Sequence, residues 1–345
     1  MPANGTGQES MQTDAAGHSQ PASITETAYA FVTKPYLQHP TADAMTVFWL
    51  TNRPSHSWIE YWLEEDKQQR SQTINSGLVM AHNTTHRIRL ENLKPGKAYS
   101  YKIYSKEITS FLPYKKEFGE TLMSDVYRFE TCNPAKEDMS MLIFNDIHDR
   151  PKSFGDLEKL NGNDPYDFVF LNGDMFDYQT DEKQLVEHLI NPCSDLFAAN
   201  KPFLFVRGNH ETRGVFSYQL DNYFENINKQ PYFSFSRGPV FFIALDTGED
   251  KPDDDPAYYG LAAFDPFREK QAEWLSQVLQ SREAKKAAYR VVLMHIPPFH
   301  SGDWHGTLRN RTLIKLKADK KSLTVNMIAD SGRQVGEYSL RPRKA

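Results

Sequence analysis

The sequence predicts two domains: an N-terminal all-β sandwich, then an α/β domain whose β-sheets are flanked by helices. Three observations carry this reading. Short strand-like runs with no helical periodicity fill the chain from about Ala30 to Thr131. Strands and helices alternate from about Ser140 onward. Ligand-type polar residues stand at the ends of four of those later strands. The 345 residues suit two domains, drawn at 30–133 and 138–345 behind a flexible leader, 1–29. A hydrophobic content of 39% with 13% aromatics supplies packed cores.

In the first domain, Thr46–Leu50, Trp58–Trp62, Thr85–Leu90, Tyr99–Ile103 and Tyr127–Phe129 read as strands, several with two-residue alternation. In Leu93-Lys94-Pro95-Gly96-Lys97-Ala98-Tyr99, a Pro-Gly turn delivers an aromatic strand, as at the tyrosine corner of sandwich domains. In the second domain, Met141–Phe144, Phe168–Leu171, Phe203–Val206, Phe241–Leu245 and Arg290–Met294 are short apolar runs, as expected of strands buried on both faces. Helical periodicity covers 182–191, 214–224 and 264–286; Phe267, Ala272, Trp274, Leu275, Val278 and Leu279 line one face of the last. The acidic run Glu249–Asp255 reads as a solvated loop. Thr312–Ala318 and Ser322–Ile328 read as a hairpin turning at Asp319-Lys320-Lys321.

Composition excludes several functions. Lys plus Arg total 40 against 45 Asp plus Glu, a net charge of −5, so general charge attraction to nucleic acid is excluded. No stretch approaches the ~18–20 apolar residues of a membrane span. Cys132 and Cys193 make no disulfide framework; one bridge or two free thiols both fit. Residues 1–28 lack the apolar core and basic start of a secretory signal. The chain either stays inside the cell or has lost a signal; its compartment is unknown from sequence.

The strand ends hold the chemistry. Asn145-Asp146-Ile147-His148 follows the first strand, Asn172-Gly173-Asp174-Met175-Phe176-Asp177-Tyr178 the second and Gly208-Asn209-His210-Glu211 the third; the strand at 290–294 runs into His295. Oxygen and imidazole groups then converge on one rim, as a divalent metal site requires. Residues two apart on an extended strand end share a face, so Asp146 and His148 can reach one ion. Gly173 and Gly208 allow sharp turns and close backbone approach. An aspartate between two cations about 3.5–4 Å apart can bridge them.

These motifs, in this order, resemble those of calcineurin-like metallophosphoesterases, and the N-terminal sandwich, itself similar to a fibronectin type III module, makes the architecture similar to that of the purple acid phosphatases. The resemblance covers most of the chain from about residue 30. It implies a four-layer α/β domain and two divalent or trivalent metal ions, such as iron, manganese or zinc. It implies Asp146 and His148 on the first ion, Asp174 bridging, and Asn209 and His295 on the second. His210 would protonate the leaving alkoxide, with Asp177 orienting it. The implied reaction is hydrolysis of a small phosphorylated substrate by metal-bound hydroxide, with no phosphoenzyme. Substrate identity is unreadable, since specificity belongs to rim loops; the 246–263 loop with Tyr258-Tyr259 and the Asp303-Trp304-His305 segment are candidate rim contacts. Similar two-domain phosphatases are often exported.

The chain departs from that pattern in three places. Where purple phosphatases carry a tyrosine ligand three residues after the aspartate, this chain has Asp177, with Tyr178 one later. Their first motif lacks a ligating histidine, supplied here by His148, so no tyrosinate colour is expected. The family's closing Gly-His-x-His motif is missing, and sequence is apparently deleted near residue 311; the only histidines after His295 are His300 and His305. Three consequences stay open: an incomplete, weakly active site, substitution by His300 or His305, or a shortened form of an active parent. The competing reading is a non-catalytic phosphoesterase-fold scaffold whose sandwich contacts an unknown protein partner.

Overall fold

The computed structural model describes residues 27–64, 67–296 and 312–343. Most of the expected leader, the segment 303–305, and both His300 and His305 therefore lie outside the described residues. The leader's end is not free: Tyr29 is buried, its hydroxyl 2.6 Å from Ser55 Oγ.

The first domain comprises β1 (Tyr36–Gln38), β2 (Met45–Trp62), β3 (Gln69–Ser71), the small hairpin β4 (Ile74–Asn75) and β5 (Leu78–Val79), β6 (Ala81–Leu90), β7 (Ala98–Phe111), β8 (Lys116–Met123) and β9 (Tyr127–Glu130). The expected strands 46–50 and 58–62 are one strand. Asn52-Arg53-Pro54 reads as a turn, yet the chain stays extended through a bulge, where a proline costs no ladder bond. Before the bulge β2 pairs with β1 and β6; from Ser55 to Trp62 it pairs with β7. One long strand thus serves both faces of the sandwich, around a core holding Trp49, Ile59, Tyr101 and Phe129. The tyrosine corner forms: the Lys94 backbone N–H donates to the Tyr99 hydroxyl at 2.8 Å. Both cysteines are free thiols, Cys132 half-buried and Cys193 buried.

The second domain has four layers. A six-stranded sheet runs β12-β11-β10-β16-β17-β18, using β10 (Met139–Phe144), β11 (Phe168–Asn172), β12 (Phe203–Val206), β16 (Thr312–Ala318), β17 (Leu323–Ala329) and β18 (Gln334–Leu340). A three-stranded sheet joins β13 (Phe233–Arg237), β14 (Val240–Leu245) and β15 (Tyr289–Met294). Side chains alternate as the strand period demands. Met139, Met141 and Ile143 of β10 face the smaller sheet, while Leu142 and Phe144 face the helices. Those helices are α1 (Lys152–Asn161) and a continuous helix in which α2 (Glu182–Leu185) and α3 (Asn191–Cys193) alternate with π turns at Val186–Ile190 and Ser194–Ala198. Pro192, near the start of α3, cannot donate a backbone bond inside that helix. The outer layer is α4 (Phe264–Val278) and α5 (Arg282–Lys286).

Three expectations change here. The 264–286 helix breaks in two, because Ser281 caps α5 by accepting the Ala284 N–H. Ala272 faces solvent, while the neighbouring Gln271 is buried and bonds the Asp246 backbone at N–H and C=O. The 214–224 segment is a 3-10 helix over Val215–Asn222. No helix among the described residues is long and apolar enough to cross a membrane.

The domains share a core. Tyr36, Phe48 and Leu50 of the sandwich are buried with Phe203, Phe205 and Phe224 of the second domain. Tyr36 stacks 6.1 Å from Phe203, and its hydroxyl donates to the Tyr223 carbonyl at 3.0 Å. Beside it the Glu225 carboxylate, 4% exposed, accepts from Thr46 and meets His39, each at 2.9 Å, with Arg87 at 3.6 Å. Burial alone would raise the Glu225 pKa, but bonds to His39 and Thr46 and the Arg87 charge pull it down to about 2.

Candidate metal centre

β10, β11 and β12 run parallel, and so do β14 and β15, which puts the loops after β10, β11, β12 and β15 on one rim. The backbone there is unusual. Asp146, His148, Asp149 and Asp174 all have positive φ, between 49° and 56°. Left-handed backbone costs non-glycine residues energy, and its concentration in two facing loops marks a functional site. The loops hold one another in that shape. The N–H groups of His148 and Asp149 donate to the carbonyls of Asp174 and Met175, each at 3.0 Å. The positions Asp146 and His148 therefore do not share a face of an extended strand; a left-handed turn brings them together instead.

Four of the expected site side chains meet around Asp174. Its Oδ2 lies 3.1 Å from His295 Nε2, 3.6 Å from His148 Nε2 and 3.8 Å from His210 Nε2. Asp146 Oδ1 is 3.7 Å from His148 Nε2. Two potential ligand triads result, His148-Asp174-His210 and Asp146-Asp174-His295, with all donor atoms of each within 4.8 Å. Both contain Asp174. Asn209 is buried next to His210. The resemblance pairs Asp146 with His148 and reserves His210 for the ester; the geometry also brings His210 to the His148 side, the rings edge to face at 4.8 Å.

The glycines are sterically required. A Cβ on Gly208 would lie 2.2 Å from Asp174 Oδ1, and one on Gly173 2.8 Å from His295 Nδ1.

Each imidazole is aimed by a second bond. His295 Nδ1–H donates to the Asn172 carbonyl at 2.8 Å, leaving Nε2 for Asp174. His148 Nδ1 meets Asp177 Oδ1 at 2.9 Å. This corrects one expectation: the Asp177 carboxylate orients His148, and only its backbone carbonyl holds His210, at Nδ1 and 2.7 Å. The Asp177 backbone N–H is anchored to Asp149 Oδ2, which turns the carboxylate toward His148. Since that carbonyl can only accept, His210 carries its proton on Nδ1, and Nε2 accepts from Arg213 at 3.0 Å.

Charge is concentrated here. Burial would lower the His295 pKa, but the Asp174 carboxylate raises it to about 9. His148 is raised, first by the neighbouring Asp146 carboxylate and against its burial. Asp174 is lowered: His295 and His210 outweigh its burial.

Sequence reasoning gave no role to several residues that shape the site. Glu211 is buried and accepts the N–H groups of Asp174, Met175 and Gly208 at 2.8, 2.6 and 2.6 Å, clamping two loops to one carboxylate. Burial, then the neighbouring Asp174 charge, push its pKa up to about 7. Asn172 ties the Asn145 side chain and the Met294 carbonyl together, joining β11 to the ends of β10 and β15. Glu249, expected in a solvated loop, is buried and paired with Arg213 at 3.0 Å. Glu211 stands inside the Gly-Asn-His-Glu motif; for Arg213 and Glu249, distant in sequence, no local signal exists. Tyr178 is 57% exposed.

A family model described as calcineurin-like phosphoesterase matches residues 139–323. The chain belongs to the calcineurin-like phosphoesterase family. A second model, the purple acid phosphatase N-terminal domain, matches residues 33–131. Among curated proteins, acid phosphatase type 7 of Homo sapiens is 26% identical over 275 residues, 75% of this chain and 57% of that protein. The Mus musculus protein of the same name is 24% identical over 282 residues, 77% of this chain and 58% of its own length. The chain thus spans less than two thirds of either relative. A purple acid phosphatase structure from yellow lupin (Lupinus luteus) seeds aligns with a TM-score of 0.63 at 14% identity, covering 91% of this chain and 74% of that one. That likeness is one of fold: a β-sandwich before a metallophosphoesterase domain. The PhoD structure aligns at 0.52 and 14%, covering 78% and 63%.

Proposed function

We propose that this phosphoesterase-family chain hydrolyses phosphoesters with two metal ions held by Asp146, His148, Asp174, Asn209 and His295. The observation that supports it is that Asp174 stands in both potential ligand triads, with Asp146 and His295 in one and His148 in the other; His210, the third member of the latter, is kept for proton transfer, and Asn209 is buried beside it. The residues present fit such ions. Carboxylate and imidazole donors suit manganese, iron or zinc, and the close approach of Gly208 to Asp174 Oδ1 reserves space that a side chain would fill. Bound ions would supply Lewis-acid charge and a nucleophile at neutral pH.

The chain's own groups prepare the site. Asp177 and the Asn172 carbonyl lock the Nδ1 sides of His148 and His295, so each ring presents Nε2 to the centre. His210 Nε2, on the same side, is the atom that would hand a proton to a leaving oxygen, once it is protonated and released from the Arg213 N–H it accepts here. Arg213 holds fixed positive charge against that atom, and Glu249 fixes the guanidinium.

The test is metal content of the purified chain measured beside hydrolysis of 4-nitrophenyl phosphate, with Asp174→Asn as control. About two ions per chain are expected, and hydrolysis should fall at least a hundredfold in the variant. Metal-independent turnover, or equal rates in both proteins, overturns the proposal. Metal binding without turnover leaves the scaffold reading.

A further inference from the structure

A line of hydrogen bonds leaves the metal centre behind His148 and ends on a helix. His148 Nδ1 meets Asp177 Oδ1, and the Asp177 N–H donates to Asp149 Oδ2 at 2.8 Å. The other oxygen, Asp149 Oδ1, accepts from His188 Nδ1 at 2.7 Å and from Gln184 Nε2 at 2.9 Å. One carboxylate thus joins two walls: Oδ2 holds the loop after β11, and Oδ1 holds the helix.

The helix is a firm support. Gln184 and His188 stand four apart and so share a face. Leu185, Val186, Leu189 and Ile190 around them are buried in the core. His188 lies in the π turn Val186–Ile190, and such widened turns collect at functional sites. Asp149 has a φ of 52°. A non-glycine residue keeps that conformation only where its surroundings over-determine it. Here they do so with the Met175 carbonyl on its N–H and three donors on its carboxylate.

The Asp177 side chain needs this anchor. It is 54% exposed, so packing does not fix it and water competes for its oxygens. Its direction is set by its own backbone, and the backbone N–H is held by Asp149. With His188 removed, Gln184 alone holds Asp149 Oδ1, and a carboxylate held there by one bond can pivot.

We infer that His188 is a positioning residue for the ligand His148: through Asp149 it fixes the Asp177 backbone, and so the carboxylate that aims the His148 ring. The inference rests on the reading above of His148 as a metal ligand. The part played by His188 requires one N–H at Nδ1 and no change of charge.

The test begins without metal. In EDTA, amide hydrogen exchange is followed by NMR in the full chain and in His188→Leu, which fills the space but donates nothing. Exchange of the Asp177 amide should quicken about tenfold. That of the Asp174 amide, clamped by Glu211, should not change. Manganese is then titrated into wild type, His188→Leu and His188→Asn. Affinity at one of the two sites should fall about tenfold in the leucine variant and return toward wild type in the asparagine variant, whose Nδ2 can donate from the place of Nδ1. A packing role predicts the reverse order, because leucine fills more space than asparagine. Unchanged exchange at Asp177, equal quickening at Asp174, equal manganese affinity in wild type and His188→Leu, or equal losses in the two variants each overturn the inference. Failure of the hydrolytic reading looks different: wild type binds manganese, the variants rank as expected, and 4-nitrophenyl phosphate is not turned over. A wild type that binds no manganese ends both.

Discussion

Replacing Gly208 by alanine tests the metal centre with a single methyl group. The added Cβ would stand 2.2 Å from Asp174 Oδ1, 2.8 Å from the Asp174 nitrogen and 2.8 Å from His295 Cδ2. Nonbonded carbon contacts relax toward about 3.5 Å, so Asp174 must retreat by roughly 1 Å. It cannot do so freely. Oδ1 accepts the His210 N–H at 3.1 Å, and the Asp174 N–H is clamped by Glu211. The overpacking should cost about 1–3 kcal/mol. A displacement of that size is worth about a hundredfold in rate, and both triads lose their common member. The assay is metal content after dialysis, beside thermal unfolding in EDTA. Gly155→Ala is the comparison: its Cβ would meet only Leu196 Cδ2 at 4.0 Å, in α1, where alanine should gain up to ~1 kcal/mol. Gly208→Ala that keeps wild-type metal content and wild-type melting refutes the steric reasoning.

Two further outcomes are expected. Glu225 titrates near 2 in the folded chain instead of near 4.5. A lowered carboxyl pKa stabilises above the unfolded value and loses that stability as pH falls toward the folded one. Wild type should therefore hold about 3 kcal/mol over Glu225→Gln at pH 7 and lose it between pH 4.5 and 2; urea unfolding with a gap independent of pH would contradict this. Metal-loaded protein should show no visible tyrosinate band, because His148 stands in the cluster and Tyr178 is exposed. A band lost in Tyr178→Phe would show that reasoning to be wrong.

The strands of the second domain were legible because buried strands read as bare apolar runs, and their polar ends pointed to the rim. The ligand set was legible as residue types. Their geometry was not, because it depends on left-handed turns at Asp146, His148 and Asp174, a backbone that Asp and His tolerate better than most residues but that the local sequence does not announce. Those turns send the Asp177 carboxylate to His148 instead of His210. The split of β2 failed for a related reason: Pro54 marks a turn in local chemistry, but a bulge absorbs it. The burial of Glu249 depends on Arg213, 36 positions away, a pairing that only the folded chain creates.

The wall where Tyr36, Phe48 and Leu50 sit among Phe203, Phe205 and Phe224 has a consequence for how the molecule comes apart. Severing the sandwich from the remainder would leave each piece with a wet aromatic face, prone to clumping. Heating the intact chain should give one cooperative transition rather than two, and damage to the sandwich should be felt at the rim that holds Asp174.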